Sequence, residues 1–146
     1  MVENNKLGRE ARLYFIQAEK TLRYLKENKR LEAFTKLENT KEKFKAMLET
    51  KGLAEQDYIE IDTAGKRVLM NGKVVEDTIL ETVLLSARDF ATNMTYHNTI
   101  ADGLMQKENI KEENEKNHSS VRDTLIENRI TPEDLPTKED IKKLED

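Results

Sequence analysis

The sequence has no cysteine and no tryptophan, and it contains only two prolines and five glycines. Without cysteine there is no disulfide framework, no cysteine-ligated zinc or iron–sulfur site and no thiol nucleophile. Two histidines are few for a metalloenzyme. No apolar run approaches the about 18 residues of a membrane span, and the polar start is unlike a signal peptide. We therefore expect a soluble, cytoplasmic protein that uses no metal and no cofactor.

The sequence is rich in charged residues. Charged residues make up 37% and hydrophobic residues 36%, aromatic residues only 5%, and the mean hydropathy is −0.81. This leaves too little apolar material for a thick sheet protein but suits helices with narrow apolar stripes. A length of 146 residues fits one domain. The expected fold class is therefore mainly α, a single compact helical domain over residues 1–146.

The two parts of the chain carry opposite charge. Residues 1–51 hold 13 Lys/Arg and 8 Asp/Glu, a balance of +5, whereas residues 52–146 hold 12 and 21, a balance of −9. The net charge of −4 argues against non-specific nucleic-acid binding by the chain as a whole. The basic and acidic parts can attract each other, within or between chains, or face two unlike partners.

Helical spacing predicts two helices in the basic part. The first covers about residues 4–30, where apolar residues recur three or four apart, namely Leu7, Ala11, Tyr14, Ala18, Leu22 and Leu25. The second covers about residues 31–51 and ends at Gly52, a typical left-handed cap. No glycine or proline separates them. They form either an antiparallel hairpin that turns near residues 28–31 or one longer helix with a kink.

The pattern then changes to an expected β-ribbon at residues 58–75. Residues 58–62 alternate in polarity, and short apolar runs flank Asn71-Gly72. An Asn-Gly pair in such a setting is a strong hairpin signal, because both turn residues need a positive φ. We expect two or three short antiparallel strands that lie on the helices.

Helical periodicity returns after the expected ribbon. A third helix is expected from Asp77 to about Ala101, and a fourth from about Gln106 to Arg129. In the tail, Thr131 and Thr137 both have the properties of helix N-caps. The second of these predicts a short last helix that runs through Leu144.

The first helix also has features outside its main apolar face. Basic residues gather on the opposite side, namely Arg9, Arg12, Lys20, Arg23 and Arg30. This basic side is a solvated face, a match for the acidic part of the chain, or a contact for phosphates. Leu13 and Ile16 also lie outside the main face, which favours wrapping by other helices or a homodimer.

The fourth helix contains the most notable polar group, His118 with Asn114 and Asn117 on its apolar side. One interpretation is a neutral, hydrogen-bonded histidine in a polar layer of the core. The other is a binding spot where these groups meet a ligand or partner. His97 is expected at the surface or at a helix cap. Neither histidine has a second ligand at metal spacing, and no phosphate loop or nucleophile motif is present.

Several stretches resemble a known family. Residues 8–19 match the pattern G-x-E-x-R-x-Y-F-I-x-x-E, which follows the BRO-type N-terminal domain in phage antirepressor-like proteins and in DNA-damage-inducible protein D. Four further segments resemble the C-terminal region of protein D in the same order, namely residues 91–95, 117–125, 130–136 and 139–145. The resemblance implies a non-enzymatic protein of the DNA-damage (SOS) response that acts on recombinase filaments, in a phage or prophage setting.

These observations favour a non-catalytic interaction protein that binds a recombinase or another DNA-repair or defence protein, either alone or on single-stranded DNA. The candidate binding residues are Arg9, Arg12, Arg23, Asn93, Asn117, His118 and Arg122. One alternative is a small acidic phage inhibitor whose surface imitates nucleic acid, carried by Glu108, Glu112, Glu113, Glu115 and Asp123. Another is a metal-dependent nuclease, for which no converging carboxylates can be identified from spacing.

Overall fold

A computed structural model describes residues 2–143, with side chains described over residues 8–142. The fold is mainly α, as expected, with four helices joined by short connections. They are α1 (Val2–Thr50), α2 (Glu55–Leu69), α3 (Thr82–Ala101) and α4 (Lys107–Glu127). Single 3₁₀ turns lie at Asp77–Ile79, Pro132–Asp134 and Ile141–Lys143. The Leu7 side chain and Leu144, both used in the helix predictions, lie outside the described side chains.

The first two expected helices are one continuous helix, α1, so the hairpin near residues 28–31 is not formed. From Arg30 onward, buried positions recur every three or four residues, namely Arg30, Ala33, Leu37, Thr40, Phe44, Met47 and Leu48. Over residues 8–29, in contrast, every residue is exposed except Ala18 and Glu27, which are half-buried. We call residues 8–29 the arm and residues 30–143 the body.

The helices of the body alternate in direction. Gly52, with a φ of +81°, closes α1 in the left-handed conformation that the sequence predicts, and α2 returns beside α1. The α1 and α3 helices run parallel, as do α2 and α4, and α3 and α4 are antiparallel. The main packing partners are α2 with α4, α1 with α3, and α3 with α4.

The expected β-ribbon at residues 58–75 is wrong, because residues 55–69 form α2 and no strand occurs between residues 2 and 143. The Asn71-Gly72 pair does adopt positive φ at both residues, 55° and 95°. It ends a helix rather than a hairpin, with the Gly72 amide donating to the Arg67 carbonyl at 2.7 Å. Such a pair satisfies a helix C-terminus as well as a tight turn. Burial of Ile61 and Leu69 against α4 outweighs the β propensity of the segment.

The C-terminal tail packs onto the junction between arm and body. The buried Arg30 guanidinium donates to the carbonyls of Leu80, Thr78 and Glu139 at 2.9, 2.8 and 2.7 Å. Ile141 is fully buried, and its 3₁₀ turn stands where the short last helix was expected. Arg30 therefore joins α1 to both the α2–α3 connection and the tail.

The core consists of two apolar clusters. One contains Leu37, Leu69, Leu84, Leu85 and Leu125 with their neighbours, and the other Phe44, Met47, Leu48, Ile61 and Ile110. Along α1, α2 and α4, buried polar residues separate the members of the two clusters, and α3 adds the buried polar residues Arg88, Thr92, Thr95 and Thr99. The body is thus divided by a polar layer, and two of its side chains, Asn114 and His118, lie close against Gly65 of α2.

Replacing Gly65 by alanine is expected to destabilise the body. A Cβ there would lie 2.6 Å from His118 Cε1 and 2.7 Å from Asn114 Nδ2, two buried and hydrogen-bonded side chains. Alanine gains about 1 kcal/mol of helix propensity, but overpacking costs about 1–3 kcal/mol. We expect Gly65→Ala to lower the free energy of unfolding, measured by denaturant titration. Gly8→Ala in the arm has open space and should not lower it. Equal or higher stability of Gly65→Ala would contradict this packing.

Candidate functional site

The polar layer is centred on Arg88 of α3, which is 1% exposed. Its guanidinium donates to both carboxylate oxygens of Asp77, at 3.0 and 2.9 Å, and to Asp62 Oδ1 at 2.8 Å. A further N–H lies 3.0 Å from His118 Nε2. Two lysines complete the charge pattern, Lys41 at 2.8 Å from Asp77 and Lys66 at 3.6 Å from Asp62. One arginine therefore joins α2, α4 and the connection before α3.

The charges in this layer stabilise one another. Burial alone would disfavour the Asp77 carboxylate, but the adjacent Arg88 guanidinium and Lys41 hold the pKa of Asp77 well below its usual value. Burial likewise disfavours the charged Arg88, and the two carboxylates outweigh it, so the pKa of Arg88 is raised. The pKa of Lys41 is raised by Asp77 and Glu38 against a similar burial effect. All three groups are thus charged near neutral pH.

His118 is neutral in this layer. It is fully buried, and its Nδ1 lies 2.8 Å from the Asn114 carbonyl, which can only accept a hydrogen bond. The proton therefore sits on Nδ1, and Nε2 accepts from Arg88. Burial, reinforced by the charge of Arg88, lowers the pKa of His118 to about 4. His118 is therefore a neutral, hydrogen-bonded histidine in a polar layer of the core, which is the first of the two interpretations that the sequence allows.

Amide and hydroxyl groups extend the layer between α3 and α4. Asn114 Nδ2 donates to the Ile61 carbonyl at 2.9 Å, and Asn114 Oδ1 accepts from Thr95 at 3.0 Å. Asn117 donates to Thr95 Oγ1 at 3.0 Å and to Glu113 at 3.2 Å. Because these groups bond to one another and are closed to solvent, the layer orients the helices and offers no open position for a ligand.

The candidate binding residues fall into separate places. Asn117 and His118 lie inside the body, where a partner could reach them only by opening the bundle, so we withdraw their assignment to a binding surface. Asn93 is half-buried and donates to Thr40 and Asp89 at 3.3 and 3.2 Å. Arg122 is half-buried and bonds Glu133 through two N–H groups at 2.6 and 2.9 Å, which lowers the pKa of Glu133. It also donates to the Leu69 carbonyl at 2.8 Å.

The three remaining candidates, Arg9, Arg12 and Arg23, are exposed on the arm. At 100° per residue they lie on the side opposite the arm's main apolar face, together with Lys20. The large apolar side chains of the arm are also exposed, namely Leu13, Tyr14, Phe15, Ile16, Leu22, Tyr24 and Leu25. A run of exposed apolar residues of this size is typical of an interaction surface. The arm is therefore the strongest candidate binding element in the described part of the chain.

The acidic residues of α4 do not form one continuous surface. Glu108, Glu112 and Asp123 are exposed, and Glu115 is half-buried. Glu113 instead turns inward, accepting from Asn98 at 2.8 Å and from Asn117. Lys116, which is also exposed, lies on the same side of α4 as Glu112 and Asp123. The acidic surface is thus smaller than the sequence predicts.

Comparison with protein-family models, curated proteins and solved structures gives no match to this chain. Within the described residues, no helix combines the length and apolar character that membrane crossing requires. The same part of the chain contains no group of three or more histidine or acidic side chains arranged to hold a metal ion.

The centre of the polar layer is the feature that sequence reasoning missed. Arg88, Asp62 and Asp77 are unremarkable in a chain with 37% charged residues. One signal was available in the sequence. Arg88 lies on the apolar side of α3, next to Leu84, Leu85 and Ala87, and this side of the helix has no other charged residue. A charged residue in that position calls for buried partners of opposite sign.

We expect Arg88→Met to destabilise the body by about 3–5 kcal/mol, because it leaves two buried carboxylates without their main partner. Adding Asp62→Asn and Asp77→Asn to the same chain removes those charges and should recover part of the loss. Denaturant titration of the single and triple variants measures both effects. A triple variant no more stable than Arg88→Met would show that the uncompensated carboxylates are not the cause.

Stability should fall as the pH drops from about 6.5 to 4. In this window the unfolded chain protonates His118 whereas the folded chain does not, so acid favours unfolding. The difference between 6.5 and about 4 corresponds to about 3 kcal/mol. Below about pH 4, the lowered pKa of Asp77 adds a further loss.

Measuring the free energy of unfolding as a function of pH tests whether His118 causes this pH dependence. His118→Gln should flatten the slope between pH 6.5 and 4. An unchanged slope in His118→Gln would contradict the neutral, buried state of His118.

Proposed function

We propose that this chain is a non-catalytic interaction protein that binds another protein through the basic side of its arm. The observation that carries the proposal is the arm itself, a helix of residues 8–29 that extends beyond the packed body. Its length at 1.5 Å per residue is about 33 Å. Arg9, Arg12 and Arg23 are exposed along it, and the body offers no comparable free element.

The arm suits a partner with an acidic surface. Residues 8–29 contain six Lys/Arg and three Glu, so the arm carries positive charge while the remainder of the chain is acidic. Guanidinium groups bind carboxylates and phosphates through two parallel hydrogen bonds, and positive surfaces accelerate association with negative ones. An acidic body also keeps the partner at the arm by repelling it elsewhere.

The resemblance to DNA-damage-inducible protein D supports a particular partner class. Residues 8–19, which make up the first matching pattern, lie entirely in the arm. We therefore propose a recombinase filament on single-stranded DNA as the partner, with a role in the DNA-damage (SOS) response or a prophage.

Binding of the fluorescently labelled full chain to recombinase tests this function. Anisotropy is measured with the filament, with recombinase alone and with single-stranded DNA alone. We expect binding to the filament, weakened about tenfold or more by Arg12→Glu with Arg23→Glu, since each 1.4 kcal/mol is a factor of ten. Higher salt should weaken it as well.

The matched control reverses two exposed cations on the body, Arg67→Glu with Lys116→Glu. This control should bind like the unmodified chain. Absence of filament binding by the unmodified chain would contradict the partner class, and equal loss in both double variants would contradict the role of the arm.

A second candidate is the acidic inhibitor, favoured by the exposed side chains of Glu108, Glu112 and Asp123 on α4. Such a protein would occupy the basic groove of a defence or repair protein in place of DNA. Reversing Glu108 and Glu112 to lysine should then abolish inhibition, while reversal of Arg12 and Arg23 should have no effect.

A further inference from the structure

The apolar side of the arm has no function in binding an acidic partner, because it lies opposite the basic side. Its centre line consists of Ala11, Tyr14, Ala18, Leu22 and Leu25, with Phe15 beside it, and we call these six residues the stripe. Tyr14 is 71%, Phe15 66%, Leu22 59% and Leu25 48% exposed. Because α1 is a continuous helix, the body of the same chain does not cover the stripe.

The spacing of the stripe is the same in both directions. From Ala11 to Leu25 the steps are three, four, four and three, symmetric about Ala18. Two arms that run antiparallel about a two-fold axis at Ala18 would therefore bring every centre-line residue opposite another. A two-fold interface needs such a self-complementary surface.

Side-chain size favours the antiparallel direction. Ala11 then faces Leu25, Tyr14 faces Leu22, and the two Ala18 residues meet at the centre, where the helices approach closely. The Ala11–Leu25 layers at the two ends then pair a small residue with a large one, which fills them evenly. A parallel pair would instead place Ala11 opposite Ala11, which leaves a gap, and Leu25 opposite Leu25, which crowds that layer.

The area of the stripe is sufficient for a specific interface. At roughly 200 Å² for a large side chain, the exposed parts of Tyr14, Phe15, Leu22 and Leu25 amount to about 500 Å² per copy. Two copies then bury up to about 1,000 Å² from these side chains, the size at which specific interfaces begin.

We propose that two copies of this chain pair through their stripes as an antiparallel dimer centred on Ala18. The basic sides of the two arms face outward from this pair, so a dimer offers two of them at once. The pairing does not depend on the proposed partner, since the stripe and the basic side use different residues.

Sedimentation analysis of the full chain tests the pairing. We expect a species of twice the 17.0 kDa chain mass at micromolar concentration. Ala18→Glu places two carboxylates opposite each other and should weaken association about tenfold or more. Ile16→Glu, on the opposite side of the arm, should still dimerise. A monomeric unmodified chain, or an Ala18→Glu variant that dimerises equally well, would overturn the proposal.

Single introduced cysteines test the direction, since the natural chain has none. A mixture of Ala11→Cys chains with Leu25→Cys chains should form a disulfide between unlike chains, and each variant alone should not. Disulfides between like chains would overturn the antiparallel arrangement. The variant with Arg12→Glu and Arg23→Glu should lose partner binding but still dimerise. Its dimerisation therefore tests the pairing independently of the proposed function.

Discussion

The Arg88 guanidinium, held between two buried carboxylates, is the interaction on which the body depends. It is 1% exposed and bonds Asp77, Asp62 and His118, so three chain segments meet at one side chain. Such a group is costly to bury unless every partner is in place, because an unpaired buried charge loses its hydration. The layer therefore fixes which helices pair and in which register, while the apolar clusters on either side supply most of the favourable burial.

The same constraint explains why the body offers no binding pocket at its polar centre. The groups that looked most suited to chemistry, His118 and Asn117, are bonded to their neighbours and closed to solvent. A neutral histidine that donates to a backbone carbonyl and accepts from an arginine has no free nitrogen left for a ligand. Any interaction with other molecules must use surfaces outside the layer, such as the arm.

Much of the fold could be predicted from spacing, and its failures have physical causes. Periodicity predicted the end of α3 at Ala101 and most of α4, because amphipathic patterns are local. At residues 58–75 the local preference for strands lost to burial of Ile61 and Leu69 against α4, a contact no local pattern contains. The pairing of Arg88 with Asp62 and Asp77 likewise joins residues 26 and 11 positions apart. Spacing also located the apolar face of the arm, but it could not tell a stripe that packs on the body from one that remains exposed.

The body folds around its own polar layer and apolar clusters, and we propose that the arm is covered by other molecules. Amide hydrogen exchange of the full chain, followed by mass spectrometry over a range of protein concentrations, tests it most directly. We expect amides of residues 8–29 to exchange faster on dilution, while those of α2, α3 and α4 remain slow at every concentration. Arm amides that are equally slow at all concentrations, or body amides that change together with them, would contradict it.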